Sequence, residues 1–397
     1  MYEMHILVCN VGSTSLKFKL YDMPSAEALA EGKIERVGSR DDAIFYYGNC
    51  RSGLNIKLDG QCIPTYTDGI KKYLSYLTDL DNGVLENLEV LERIGFKTVL
   101  AKGYYGVHLL NESVLAAMEE YLPIAPLHNS CYLEAIRQFQ KILPNTQLIG
   151  VFETAFHATI PKERRLYGIP YAWYEEYGIQ RFGYHGASHG YIAEKISSIY
   201  GPDQKVISCH LGGSCSICAI LDGRSIDNSF GFTPQSGVFH ANRVGDLDAY
   251  VIPFLMEQGL AIEDILSGLD KNGGLKGISG VSNDLRYLRE AADKGDERSR
   301  LAIAMFADAI VRYIGSYYAF LGGLDHLVFT GGIGENDSRL RADVCGKISH
   351  LGVALEGEIN WAGEAERLIS SAKSSVKVHV IPANEELVVA RKAYEYR

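Results

Sequence analysis

Asn10-Val11-Gly12-Ser13-Thr14-Ser15-Leu16-Lys17 gathers a glycine, three hydroxyl side chains, an amide and a cation within one short stretch. Backbone N–H groups around Gly12, with the O–H groups of Ser13, Thr14 and Ser15, can donate to an anion, and Lys17 adds a positive charge. The side-chain carbonyl of Asn10 suits a hydrated Mg²⁺. The same residues would equally make an ordinary polar hairpin turn, and this stretch alone does not separate the two. Two further glycine-rich turns follow apolar runs: Leu211-Gly212-Gly213-Ser214 after Val206-Ile207-Ser208-Cys209-His210, and Gly331-Gly332-Ile333-Gly334-Glu335-Asn336 after Leu327-Val328-Phe329-Thr330. The last opens a helix, whose first N–H groups can receive an anion or pack against an adenosine. Three such turns, accompanied by a lysine and acidic or amide residues, point to a nucleotide held in a cleft between two related domains. Against this stands the reading of three loops tightened for packing.

The elements that must position these turns can be read from periodicity. Ile6 to Cys9 and Leu16 to Tyr21 read as strands around the first turn, and Leu29–Val37, Ala43–Tyr47 and Ile56–Leu58 continue an antiparallel sheet, the last ending at Asp59-Gly60. Lys97–Ala101 and Leu148–Phe152 read as buried strands, with helices over Thr67–Leu77, Ser113–Tyr121 and His128–Lys141. Val206–His210 and Cys215–Leu221, closed by Asp222-Gly223, repeat the opening plan of strand, Gly/Ser turn, strand. Helices are expected at Asp246–Gln258, Asn283–Ala292 and Glu297–Leu321, then a strand at Val376–Ile381 and a closing helix from Asn384, a good N-cap. The repeat alone places a seam near Gly150.

At 397 residues the chain exceeds what one core usually supports, so two domains are expected. Hydrophobic residues at 47% and charged ones at 22% fit a soluble globular enzyme. The net charge of −10 argues against nucleic acid or an anionic membrane as partner, so an anionic ligand must be held by local donors. No signal-like N-terminus and no apolar run of transmembrane length is present. The eight cysteines are scattered, and Cys215-x-x-Cys218 sits in an apolar run without a second pair, so core thiols are preferred over metal or redox chemistry. A reduced, cytoplasmic protein is expected.

Ordered motifs then carry a resemblance. Asn10-Val11-Gly12-Ser13-Thr14-Ser15-Leu16-Lys17-Phe18 resembles the opening N-S-G-S-S-S-L-K-F of the acetate/propionate/butyrate kinase (acetokinase) family. That family belongs to the superfamily of acetate and sugar kinases, heat-shock chaperones and actin. Ala125-Pro126-Leu127-His128-Asn129, Phe152-Glu153-Thr154-Ala155-Phe156-His157 and Arg181 to His189 follow in family order. So do His210-Leu211-Gly212, Gly231-Phe232-Thr233-Pro234, Arg243 to Asp248, Gly331 to Asn336 and Pro382 to Leu387. The resemblance implies an α/β fold of two actin-like domains flanking a nucleotide cleft, residues 1–150 joined by a C-terminal helix 384–397, and residues 151–383 binding the nucleotide. It implies in-line phosphoryl transfer from ATP, with Mg²⁺, to a small carboxylate, giving an acyl phosphate, and a homodimer. Asn10 and Glu385 would hold the metal. Lys17, with Ser13 and Ser15, and the stretch His210-Leu211-Gly212-Gly213-Ser214 would meet phosphates, while His185 and Arg243 would stabilise the transferring group. Asp284-Leu285-Arg286 and Gly332-Ile333-Gly334-Glu335-Asn336 would frame the adenosine, and Val107, Leu127, Tyr184 and Pro234 would line the acceptor pocket. Plainer roles also exist: a core histidine for His185, a salt-bridge partner for Arg243, a first-turn acid for Glu385.

The chain also departs from the family. Aligned on Gly103-Tyr104-Tyr105-Gly106-Val107-His108, the family's G-H-R-V-V-H loses its arginine to Tyr105, which can donate one hydrogen bond but carries no charge. Lys102 is the nearby cation that could compensate. The family's catalytic aspartate is Glu153, one methylene longer. H-L-G-N-G becomes His210-Leu211-Gly212-Gly213-Ser214. These changes raise three alternatives to a full acetate kinase: a changed acceptor, a hydroxyl acceptor with Glu153 as general base, and a weakly catalytic nucleotide-binding homologue.

Overall fold

The computed structural model describes residues 3–124 and 126–397, with side chains at all of these but 126–128. Two compact units emerge: Met1–Ala155 with Asn384–Arg397, and Phe156–Ala383.

The first unit is built on one sheet. Its strands are β1 (Met4–Gly12), β2 (Ser15–Met23), β3 (Glu27–Glu35), β4 (Ser39–Asn49), β5 (Leu54–Ile63), β6 (Leu91–Phe96), β7 (Val107–Leu109) and β8 (Gln147–Val151). Their order is β5-β4-β3-β2-β1-β6-β8-β7. β1 to β5 form an antiparallel meander, while β1, β6 and β8 run parallel to one another. Alternation decides which face each residue serves. Ile6, Val8, Tyr21, Ile149 and Val151 share one face, covered by Val389, Ala390 and Ala393 of the C-terminal helix Glu385–Glu395. Gly95 lets that helix approach, since a Cβ there would lie 2.8 Å from a methyl of Val389. The Asn384 side chain accepts from Leu387 N and caps the helix, as its residue type predicts.

The second unit repeats the scheme with β9 (Lys205–Leu211), β10 (Cys215–Leu221), β11 (Arg224–Asn228), β12 (His326–Thr330), β13 (Arg367–Leu368) and β14 (Lys377–Val380), in the order β11-β10-β9-β12-β14-β13. Again an antiparallel triplet, β11-β10-β9, abuts parallel strands, β9-β12-β14. On one face Ile207, Cys209, Leu211, Cys215, Ile217 and Ala219 pack against the long helix Glu297–Leu321. On the other, Val206, Cys218 and Ile220 meet Ile192, Ala193 and Ile196 of helix Gly186–Tyr200. The echo visible in the sequence is thus an echo of sheet topology. All eight cysteines are free. Among the described residues, no helix is long and apolar enough to cross a membrane.

Several elements differ from expectation. The strand expected at Lys97–Ala101 lies earlier, at Leu91–Phe96; its first turn of polar residues, Glu92 and Arg93, hid a strand whose far end is fully buried. The first hairpin is tighter than expected: β1 runs through Asn10 and Val11 to Gly12, and Asn10 stands opposite Lys17. Gly60 (φ +66°) lies inside β5, at an irregularity in its pairing with β4, and does not end the strand. The helix expected from Asp246 begins only at Val251. Helix Gly186–Tyr200 was not foreseen, because its first turn, Gly-Ala-Ser-His-Gly, has low helical propensity.

Candidate active site

In the first unit, three parallel strands end at the same edge, which is where open α/β sheets bind ligands. β1 delivers Asn10, β6 delivers Lys97 as the next residue, and β8 leads through Phe152 to Glu153. Glu385 joins them from the first turn of the C-terminal helix. Lys97 Nζ lies 2.8 Å from Glu153 Oε1 and 2.7 Å from Glu385 Oε2. The three side chains are only 16%, 7% and 14% exposed, so this is a buried ionic cluster. Burial alone would push the ammonium pKa down; the two carboxylates outweigh it and hold Lys97 well above its ordinary value, fully charged. Beside the cluster, Tyr132 Oη donates to Asn10 Oδ1 (3.1 Å) and accepts from Val11 N (3.2 Å), which orients the carboxamide. Tyr66 Oη donates to the carbonyls of Gly12 (2.7 Å) and Ser13 (2.9 Å), bracing the turn that carries Ser13 and Ser15. Lys17, opposite Asn10, is exposed.

This geometry corrects the reading of Tyr105. The residue is 43% exposed on the loop before β7, and its carbonyl oxygen lies 2.6 Å from His108 Nε2. The cation beside Glu153 is Lys97, in Gly95-Phe96-Lys97, which has a glycine and a cation at the spacing of G-H-R. The chain therefore keeps a positive charge at this strand end, and the loss inferred from Tyr105 does not hold. Lys102 is not the substitute either: it pairs with Glu120 at the surface (2.8 Å). Val107 is half-buried on β7 against the sheet core. The side chain of Leu127 lies outside the described residues.

In the second unit the polar groups collect where β9 and β10 approach their connecting turn. His185, at φ +57°, sits in the left-handed region just before helix Gly186–Tyr200, a strained conformation for a residue with a side chain. Its Nδ1 lies 2.8 Å from Ser216 Oγ, and its ring is 4.1 Å from that of His210, centroid to centroid. His210 Nδ1 meets Ser188 Oγ at 2.8 Å. Arg243 reaches toward Ser214 Oγ and the Pro234 carbonyl at 3.5 Å each, with Asp270 3.5 Å from its Nε. Burial lowers its pKa and Asp270 opposes that shift. Tyr184 is buried, its hydroxyl donating to the Phe232 carbonyl (2.8 Å).

A cavity of about 700 Å³ opens beside the second and third glycine turns. It brings together Gly212, Gly213, Asp284, Leu285, Arg286, Gly332, Ile333 and Asn336, all anticipated, with Arg289, Arg339 and Trp361, which were not. Asp284 caps its helix through Arg286 N (2.9 Å) and pairs with the Arg286 guanidinium. A Cβ at Gly331 (φ +76°) would lie 2.7 Å from the Leu211 carbonyl oxygen, whereas one at Gly213 or Gly332 would meet only open space. Gly334 and Glu335 are not cavity-lining. The Gly334 carbonyl accepts from buried Arg341 (2.8 Å), and Glu335 Oε1 accepts from Ala383 N (3.0 Å), so both serve the scaffold. No single-sequence signal marked Trp361 or Arg289, since they come from segments distant in the chain.

Two actin-like α/β units, the first with a cation and carboxylates at its parallel strand ends and the second with glycine turns after β9 and β12, are the plan of a phosphotransferase of the acetate- and sugar-kinase class. A family model described as "Acetokinase family" matches residues 5–391. The chain is 42% identical over 397 residues to an acetate kinase of Carboxydothermus hydrogenoformans, covering 99% of each. It is 39% identical over 394 residues to one of Dictyoglomus turgidum, covering 98% of this chain and 96% of the relative. Among solved structures, Porphyromonas gingivalis acetate kinase matches with TM-score 0.88 at 35% identity, covering 98% of this chain and 99% of that one. A propionate kinase from Francisella tularensis matches with TM-score 0.91 at 33% identity, covering 99% and 100%. The chain belongs to the acetokinase family.

Proposed function

We propose that this protein transfers the γ-phosphoryl group of ATP to a short carboxylate, acetate foremost, giving ADP and an acyl phosphate. The observation that carries the reading is the buried Lys97 between Glu153 and Glu385 at three parallel strand ends. A carboxylate nucleophile is already ionised, so the protein need only position it and neutralise charge. Glu153 then acts as the partner that holds Lys97 charged and in place, not as a general base. Lys97 presents its ammonium to the acceptor carboxylate or the transferring group, the part the family gives to arginine. A lysine does this as a point charge, without the bidentate fork.

In the second unit, His185 and Arg243 supply donors to the equatorial oxygens, and the cavity beside Gly213 and Gly332 takes the adenosine. Arg289 and Trp361 add a cation and an aromatic surface to that cavity. The oxygen donors of Asn10, Glu153 and Glu385 suit a hard cation that keeps most of its water; among the described residues no group of three or more His, Cys, Asp or Glu side chains is placed to hold a metal by itself. Mg²⁺ held by Asn10 and Glu385 would supply charge neutralisation for the phosphate oxygens. A hydroxyl acceptor is not favoured, because the full-length relatives are named acetate kinase. Val107, Leu127, Tyr184 and Pro234 are proposed for the acceptor side, Lys17, Ser13, Ser15, His210 and Leu211 for the phosphate side. A cytoplasmic homodimer is the assembly we propose, to be tested by light scattering on the purified protein.

The test is ADP release from Mg-ATP over short carboxylates and small alcohols, with hydroxylamine trapping acyl phosphate. Hydroxamate from acetate or propionate supports the reading. ADP release with an alcohol and no hydroxamate overturns it. Silence across the panel, with ATP still raising the melting temperature, leaves a non-catalytic nucleotide binder.

A further inference from the structure

One face of the β9–β10 ladder changes character along its length. Val206 and Ile220, at the far end, are apolar and packed; Ser208 and Cys218 come next, then His210 and Ser216 beside the glycine turn. Helix Gly186–Tyr200 lays His189 over this gradient, with His185 at its entrance. Three hydrogen bonds join these groups in a line. Ser208 Oγ lies 2.9 Å from His189 Nδ1, His189 Nε2 lies 2.8 Å from Ser216 Oγ, and Ser216 Oγ lies 2.8 Å from His185 Nδ1. Ser208, His189 and Ser216 are each fully buried.

The direction of this line follows from counting hydrogens. Burial keeps His189 neutral, and the neighbouring His157 and His210 add to that effect, so its ring carries one N–H. If that hydrogen sat on Nδ1, Ser208 would be the acceptor and its own O–H would need another partner. Among the described residues Ser208 Oγ has none, and leaving a buried hydroxyl unpaired is unfavourable. The satisfied arrangement has Ser208 donating to His189 Nδ1, His189 Nε2–H donating to Ser216, and the Ser216 hydroxyl donating to His185 Nδ1. With Nδ1 an acceptor, the hydrogen of a neutral His185 belongs on Nε2.

We infer that Ser216, backed by His189 and Ser208, is a positioning residue that fixes His185 in the Nε2–H form. The inference rests on the phosphoryl-transfer reading, under which His185 must donate to an oxygen of the transferring group. A neutral N–H donor at a fixed atom can do this without a prior protonation step. Ser208 lies three hydrogen bonds from His185, so it touches nothing at the site itself. Among the groups facing the His185 ring are His210 from β9, Ser216 from β10, His189 from its own helix, and the apolar Phe230.

The experiment pairs ¹⁵N spectra of the histidine rings with kinetics for wild type, Ser216→Ala, Ser216→Thr and Ser208→Ala. Wild type should show His185 with its hydrogen on Nε2. Ser216→Ala should give mixed tautomers, a kcat reduced roughly tenfold to a hundredfold, little change in KM and a shifted pH–kcat profile. Ser216→Thr should restore the single tautomer, and Ser208→Ala should loosen it in the same sense as Ser216→Ala. A wild-type His185 with its hydrogen on Nδ1, or a Ser216→Ala protein with unchanged tautomer and pH profile, overturns the inference. If wild type makes no acyl phosphate, the reaction reading fails, while the ring spectra still decide the tautomer.

Discussion

Lys97 shows how much one side chain can determine when it is buried between like charges. Without it, Glu153 and Glu385 would face each other in a site that water barely reaches, and breaking a buried pair typically costs about 3–5 kcal/mol. Lys97→Met should therefore lower the unfolding free energy by about that amount and reduce hydroxamate formation roughly a hundredfold to a thousandfold. Lys97→Arg keeps the charge and should retain most of the stability. Urea unfolding and trapped acyl phosphate measure the two effects separately. A Lys97→Met protein with wild-type turnover would remove Lys97 from the mechanism.

At the scale of an element, the turn from β12 into helix Gly331–Asn336 has two adjacent glycines with different duties. Gly331 is required by the backbone: its φ of +76° and the Leu211 carbonyl 2.7 Å from a would-be Cβ leave no room for a side chain. Gly332 borders the 700 Å³ cavity and has open space before it. Gly331→Val should thus destabilise the protein by about 2 kcal/mol or more. Gly332→Val should fold with an unchanged urea midpoint yet bind ATP about tenfold more weakly, a difference of about 1.4 kcal/mol. Calorimetric titration with ATP beside urea unfolding of both variants checks this. Equal ATP affinity in Gly332→Val and wild type would move the adenosine elsewhere.

For the molecule as a whole, buried histidines are distributed unevenly. Burial pulls His157, His326 and His379 down to about 4 and His240 to about 3, and holds His189 lower than its ordinary value as well. All five belong to the Phe156–Ala383 unit. A histidine with a depressed folded pKa stays neutral while the unfolded chain takes up its proton. Its contribution is complete above about pH 6.5 and is lost as pH falls toward 4, at up to about 1.4 kcal/mol per pH unit for each group. Incubated between pH 7 and 4 and pulse-labelled with deuterium at one fixed pH, peptides from 156–383 should lose protection at higher pH than those from 1–155. Simultaneous loss in both units would show that the histidines do not set acid stability.

Much of this was already in the amino-acid order. Local rules are enough for the Asn384 cap, for helix Glu297–Leu321 and for the glycine turns after β9 and β12, because each depends on neighbours a few residues away. The repeated strand–turn–strand plan was legible for the same reason, and the ordered motifs carried the family. What sequence could not assign was partnership across distance. Lys97 sits at the end of a strand whose polar first residues disguised it, and its value comes from Glu153 and Glu385, 56 and 288 positions away. Tyr132 beside Asn10, and Ser216 between two histidines, are likewise defined by packing alone. Gly334 and Glu335 belong to a motif that suggests ligand contact, yet Arg341 and Ala383 claim them for the scaffold. A motif records which chemistry is available; only the tertiary fold, by choosing what is buried beside what, decides which atoms are left to perform it.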